Sequence, residues 1–208
     1  MPVAYNKEKT KIDDFKLLEP EGVYSYADYL RWSFEERVEL IKGKIFKMSP
    51  APRRVHQEIS TAIGNEIYNF LKNQSCKVYS APFDVRLPDK KEATDAQTFT
   101  VVQPDICIIC DEEKLDDAGC KGAPDLIVEI LSPSSSAKDL NDKYHLYEEH
   151  GIQEYWVVYP GENVLEIYDL HEESKFVSRG KFVRGNIVIS KVIKGLSINL
   201  EDVFEVGH

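Results

Sequence analysis

Asp125-Leu126-Ile127-Val128-Glu129-Ile130-Leu131-Ser132-Pro133 decides how this chain is read. An almost unbroken apolar run of this length, closed by Ser-Pro, predicts a central strand buried on both faces. Glu129 interrupts it. A carboxylate inside such a strand is costly unless something pairs with it, so the position calls for a partner.

Working outward, residues 100–110 and 78–87 form two further β-like runs upstream, the first containing Gln103-Pro104-Asp105-Ile106-Cys107-Ile108-Ile109. Before them, Val55, Ile59, Ile63, Ile67, Phe70 and Leu71 recur at three- and four-residue spacing, which predicts an amphipathic helix over 52–72. Two short runs flanking Lys42-Gly43 predict a hairpin that Pro50 and Pro52 end, and a helix is expected after Ser25. Downstream, residues 132–136 supply a turn and a helix cap, and the helix that follows ends at Gly151. A strand over 154–159 and strand-like pieces over 164–170, 175–184 and 186–191 complete the chain. The order is helix, three strands, helix, strand, with added strands at both ends. It predicts an α/β (α+β) mixed sheet flanked by helices, a single domain over 21–208 after an N-terminal arm at 1–20.

If 100–110 and 125–131 are antiparallel neighbours, the start of one meets the end of the other, and Asp105 stands across from Glu129 at about 5 Å. Two carboxylates so placed can bind one cation. Asp125 also follows a proline, but its backbone is roughly 13 Å from that of Glu129 along the strand, too far to share an ion. Leu131, two residues after Glu129 on the same face, is apolar, so the nearest candidate cation is Lys143 on the following helix. Asp139 lies one turn before it, and Leu140, Tyr144 and Tyr147 give that helix an inner edge. A lysine stem can lie on apolar surface and deliver its ammonium to a polar pocket.

Pro104-Asp105, Gly122-Ala123-Pro124-Asp125-Leu126-Ile127-Val128-Glu129-Ile130-Leu131-Ser132-Pro133-Ser134, then Asp139, Lys143, Gly151 and Glu154-Tyr155-Trp156 resemble the Uma-two family of restriction endonucleases of unknown function, within the PD-(D/E)xK nuclease superfamily. Glu39-Leu40-Ile41, Gly43, Met48-Ser49-Pro50 and His56 are similar to that family's N-terminal pattern. The resemblance implies a restriction-endonuclease-like core (helix, three-strand meander, helix, strand) and Mg²⁺ or Mn²⁺ held by Asp105 and Glu129. It departs from the superfamily signature at Leu131, where lysine is usual, and Lys143 fits a lysine moved onto the helix. Two acids plus the backbone carbonyl of Ile130 suffice for magnesium, which keeps several of its waters. Glu39 can add a carboxylate, and His56 an imidazole for water or phosphate.

The 208 residues carry a net charge of −10, against a packaging or coating role on nucleic acid but not against an enzyme that grips phosphates locally. Lys42, Lys44, Lys47, Arg53 and Arg54 lie in one stretch without acids, and six Lys/Arg in another at 175–194. These are either solvated faces or patches facing phosphates. No apolar run reaches the roughly twenty residues of a membrane span, and the first residues lack a signal core, so a cytoplasmic location is expected. The four cysteines read as buried free thiols. Cys107 and Cys110 have zinc-like spacing, but three apart in a strand they point to opposite faces.

The reading is a nuclease that hydrolyses DNA phosphodiester bonds, with Asp105, Glu129 and Lys143 as catalytic residues. A homodimer would present two sites to a duplex. Two alternatives stay open: an inactive nuclease-fold scaffold or interaction protein, and a metal-dependent hydrolase of RNA or small nucleotides.

Overall fold

The computed structural model describes residues 11–48, 53–132 and 137–205, the last stretch with side chains from 140 onward. The arm residues 1–10, the prolines at 50 and 52 and the cap at 133–136 lie outside the described residues. In chain order the elements begin with α1 (Tyr26–Tyr29), the hairpin β1 (Val38–Ile41) and β2 (Lys44–Lys47), and α2 (Arg54–Leu71). The strands β3 (Lys77–Ser80), β4 (Val85–Arg86), β5 (Val101–Val102) and β6 (Ile106–Ile109) follow. Next come β7 (Leu115–Asp116), β8 (Gly119–Lys121), β9 (Leu126–Ile130), α3 (Ala137–Glu149) and β10 (Glu154–Tyr159). The chain closes with β11 (Val164–Leu170), β12 (Phe176–Val183), β13 (Ile187–Ile189), β14 (Ser197–Asn199) and α4 (Leu200–Phe204).

These elements gather into two compact units, residues 1–48 with 86–102, and residues 49–85 with 103–208. In the smaller unit β1 pairs antiparallel with β2 and with β5. Lys42 and Gly43 make the hairpin turn, both at positive φ (50° and 78°). A Cβ at Gly43 would sit 2.6 Å from the Val23 side chain, so glycine is needed there for space as well as conformation. Ile12 bridges to Trp32, tying down the described part of the N-terminal arm.

The larger unit is built on a six-stranded mixed sheet in the order β12-β11-β10-β9-β6-β3. β9 and β10 are parallel, and every other neighbouring pair is antiparallel. All five residues of β9 are buried, as its composition predicts. Ile59, Ile63, Ile67 and Leu71 of α2 pack with Ile106, Ile108, Leu126, Val128, Ile130, Trp156 and Val158 on one face of this sheet. The alternate residues face α3, where Tyr147 meets Tyr155 edge-on at 5.2 Å. Gly151, at φ 78°, ends α3 in the left-handed conformation expected of it. No described helix is long and apolar enough to cross a membrane.

Three features differ from the sequence reading. The runs over 78–87 and 100–110 each break in two, at Ala81-Pro82 and at Gln103-Pro104, because proline has no N–H for the ladder. One half of each, β3 and β6, joins the sheet of the larger unit, while residues 86–102 belong to the smaller unit. Second, the cysteines are not all free: Cys76 and Cys110 form a disulfide, while Cys107 and Cys120 are the buried free thiols expected. Lys77 pairs with Ile109, so the next residues outward are the two cysteines. Third, five of the six basic side chains in 175–194 are paired to carboxylates: Lys175 to Glu148, Arg179 to Asp169 and Glu154, Lys181 to Glu166, Arg184 to Glu201, and Lys191 to Asp169. These side chains are therefore partnered by internal acids rather than unpaired, while Lys175, Lys181 and Lys191 stay largely exposed.

Candidate active site

The register Ile106↔Val128, carried one step further, sets Asp105 opposite Glu129 at one end of the β6–β9 pair. The Asp105 carboxylate accepts the backbone N–H of Ile130 through Oδ2 at 2.7 Å, and the same oxygen lies 3.2 Å from His56 Nε2. His56 sits in the first turn of α2, on the other side of the sheet from α3. Glu129 Oε1 accepts two hydrogen bonds, from Lys143 Nζ at 2.9 Å and from the hydroxyl of Tyr147 at 2.6 Å. Helices from both faces therefore reach one pair of strand ends. The side chains of His56, Asp105, Glu129 and Lys143 are between 10% and 19% exposed, so charges there are weakly screened yet solvent can still enter.

Burial opposes the charged form of His56, but the hydrogen bond to Asp105, the negative charge of Asp105 and Glu129 and the Ile130 carbonyl outweigh it. The net result is a pKa above the ordinary 6.5. Its Nδ1 is buried without a hydrogen-bond partner among the described residues. The same is true of the hydroxyl of Tyr155, a fully buried residue whose pKa is held well above the usual tyrosine value by burial and then by the charge of Glu129.

Asp105, Glu129 and Lys143, read from the sequence as the chemical residues, are thus gathered at one place, with Ile130 and His56 beside them. Glu39 is a buried residue of β1 in the smaller unit, opposite Phe46. Asp125 lies at the far end of the strand pair, where its carboxylate accepts the N–H of Cys110 at 2.8 Å. Tyr147 was legible only as a packing residue. Its spacing of four from Lys143 on one helix face is the signal that joins it to Glu129.

The fold agrees with what related proteins show. The model of the Uma2 family, described as "Putative restriction endonuclease", matches residues 26–201, and the chain belongs to that family. It is 25% identical over 166 residues to the uncharacterized protein slr1290 of Synechocystis sp., covering 78% of this chain and 80% of that one. Among solved structures it is similar to a crystal structure from Anabaena variabilis titled as a "putative nuclease belonging to DUF820". The TM-score is 0.68 at 20% identity, covering 88% of this chain and 98% of the other. The mixed α+β nuclease-like fold expected from the sequence is therefore borne out.

The donor chemistry can be tested against a divalent cation. Among the described residues no group of three or more His, Cys, Asp or Glu side chains is placed to hold a metal ion, so the oxygen donors at this site are few. Two carboxylates next to a backbone carbonyl are hard oxygen donors, few in number, and fit magnesium or manganese. The hydrogen bond from the Ile130 N–H and the ion pair with His56 both use Oδ2 of Asp105.

Proposed function

We propose that this protein is a metal-dependent nuclease that hydrolyses phosphodiester bonds, with DNA as substrate. The observation that carries the reading is the meeting of Asp105, His56, Glu129 and Lys143 at one strand-pair end. Asp105, Glu129 and the Ile130 carbonyl would hold Mg²⁺ or Mn²⁺. When bound, the ion supplies Lewis acidity, lowering the pKa of an attacking water and offsetting charge on the phosphate. Lys143 brings a second positive charge to the place where negative charge grows in the transition state. His56, hydrogen-bonded to Asp105 through Nε2, orients that carboxylate. A two-fold dimer would set two such sites against a duplex, and sedimentation in solution tests that assembly.

The test is digestion of supercoiled DNA, linear DNA and RNA with Mg²⁺. The expected result is cleavage of DNA, reduced on the order of 10²–10³-fold in Lys143→Ala while Mn²⁺ still binds. One observation favours the scaffold reading: Glu129 already has an ammonium and a phenol as protein partners, as a purely structural acid would. Absence of cleavage, together with Mn²⁺ heats that do not depend on the carboxylates, would establish that reading instead.

A further inference from the structure

Lys143 and Tyr147 stand four residues apart on α3 and donate to the same oxygen, Glu129 Oε1, at 2.9 and 2.6 Å. The two donors differ in kind. Lysine has a flexible four-carbon stem and can follow a carboxylate that turns. The Tyr147 ring is fully buried and packed edge-on against Tyr155, so its hydroxyl is a fixed point. Its charge differs as well: a neutral hydroxyl fixes the orientation of a carboxylate while leaving the negative charge that attracts a cation, which a second ammonium would cancel.

We propose that Tyr147 is a positioning residue for Glu129, setting the orientation in which this carboxylate meets a divalent cation. The proposal rests on the cation reading of the site and adds to it a residue that touches neither ion nor substrate. Partners of this kind, hydrogen-bonded to a ligating group, typically change metal affinity 10- to 100-fold when removed.

A matched control lies on the same helix. Tyr144 donates its hydroxyl to the Phe176 carbonyl at 3.1 Å, a purely structural bond. The experiment is calorimetric titration of the full chain with Mn²⁺, with thermal unfolding of each variant alongside. Tyr147→Phe keeps the ring and is expected to weaken Mn²⁺ binding roughly 10- to 100-fold. Tyr144→Phe is expected to lower the unfolding midpoint about as much as Tyr147→Phe does and to leave Mn²⁺ affinity unchanged. In a Glu129→Gln background, Tyr147→Phe should add no further loss, because the group it positions is gone. Wild-type binding that depends on Glu129, with unchanged affinity in Tyr147→Phe, overturns the positioning role alone. Wild-type protein with no Glu129-dependent Mn²⁺ heat overturns the cation site and this role together.

Discussion

Two Pro-Asp turns stand at opposite ends of one antiparallel strand pair, and their local work is the same. Asp105 precedes β6 and accepts the N–H of Ile130 at the end of β9; Asp125 precedes β9 and accepts the N–H of Cys110 just past β6. The two bonds are 2.7 and 2.8 Å long. Each aspartate closes the ladder by satisfying a backbone donor where the strands part. Around them the ends diverge. Asp105 has His56, Glu129 and, through Glu129, Lys143 and Tyr147. At the other end, the Cys76–Cys110 disulfide closes the neighbouring β3–β6 pair, and Lys114 donates to the Ala123 carbonyl rather than to an acid. The aspartate alone is therefore a sheet-closing device. The candidate site consists of what the helices bring to one end of the pair.

The largest contrast is expected between the two lysines. Lys143→Ala should lower Mg²⁺-dependent DNA cleavage on the order of 10²–10³-fold, and Lys114→Ala should leave it unchanged. Equal losses would show that the ends do not differ in chemistry. The disulfide tests the opposite asymmetry. With its cysteines 34 positions apart in sequence, Cys76→Ser is expected to cost about 3–4 kcal/mol of stability by chain entropy, read from urea unfolding under oxidising conditions. Mn²⁺ affinity should stay at the wild-type value.

The aspartates come next. Asp125→Ala removes a charge-assisted bond to a backbone donor and should cost about 1.5–3 kcal/mol. Asp105→Ala removes a comparable bond and the partner of His56, but also relieves the repulsion of a negative charge opposite Glu129, so its cost should not exceed that of Asp125→Ala. A larger cost for Asp105→Ala would mark it as the more structural of the two.

A third buried acid separates charge from function. Burial raises the pKa of Asp169, but hydrogen bonds from Arg179 and Lys191 outweigh this and hold it below the ordinary 3.8. Since the folded value is the depressed one, the stability it contributes is present above the unfolded carboxylate range and is lost as pH falls through 3.8 and below. Asp169→Asn should flatten the unfolding curve in that acid window and leave cleavage at neutral pH unchanged. The smallest effect is expected at Tyr155, whose buried hydroxyl has no hydrogen-bond partner among the described residues. Tyr155→Phe should be neutral or stabilising by about 1 kcal/mol in urea unfolding.

The sequence carried the parts of this picture that depend on local pattern. The apolar stripe of α2, the doubly buried β9 and the turn at Gly151 are written in spacing and residue type, and the Asp105–Glu129 register follows from one assumption about strand direction. What it did not carry is long-range partnering. That residues 86–102 leave for the smaller unit follows from sheet pairing, although Pro82 and Pro104 mark the breaks. The disulfide needs β3 beside β6, strands separated in sequence by the whole excursion. The basic stretch at 175–194 looked free because its acids, Glu148, Glu154, Glu166, Asp169 and Glu201, lie on other elements. Tyr147 read as packing because most inward tyrosines are packing, and its hydroxyl acquires a role only once Glu129 is known to lie beneath it.

The most direct measurement is calorimetric titration with Mn²⁺ of the wild-type chain, Asp105→Ala and Asp125→Ala. Binding is expected in the wild type and in Asp125→Ala, and its loss in Asp105→Ala. Retained binding in Asp105→Ala, or equal loss in both variants, would contradict the cation site.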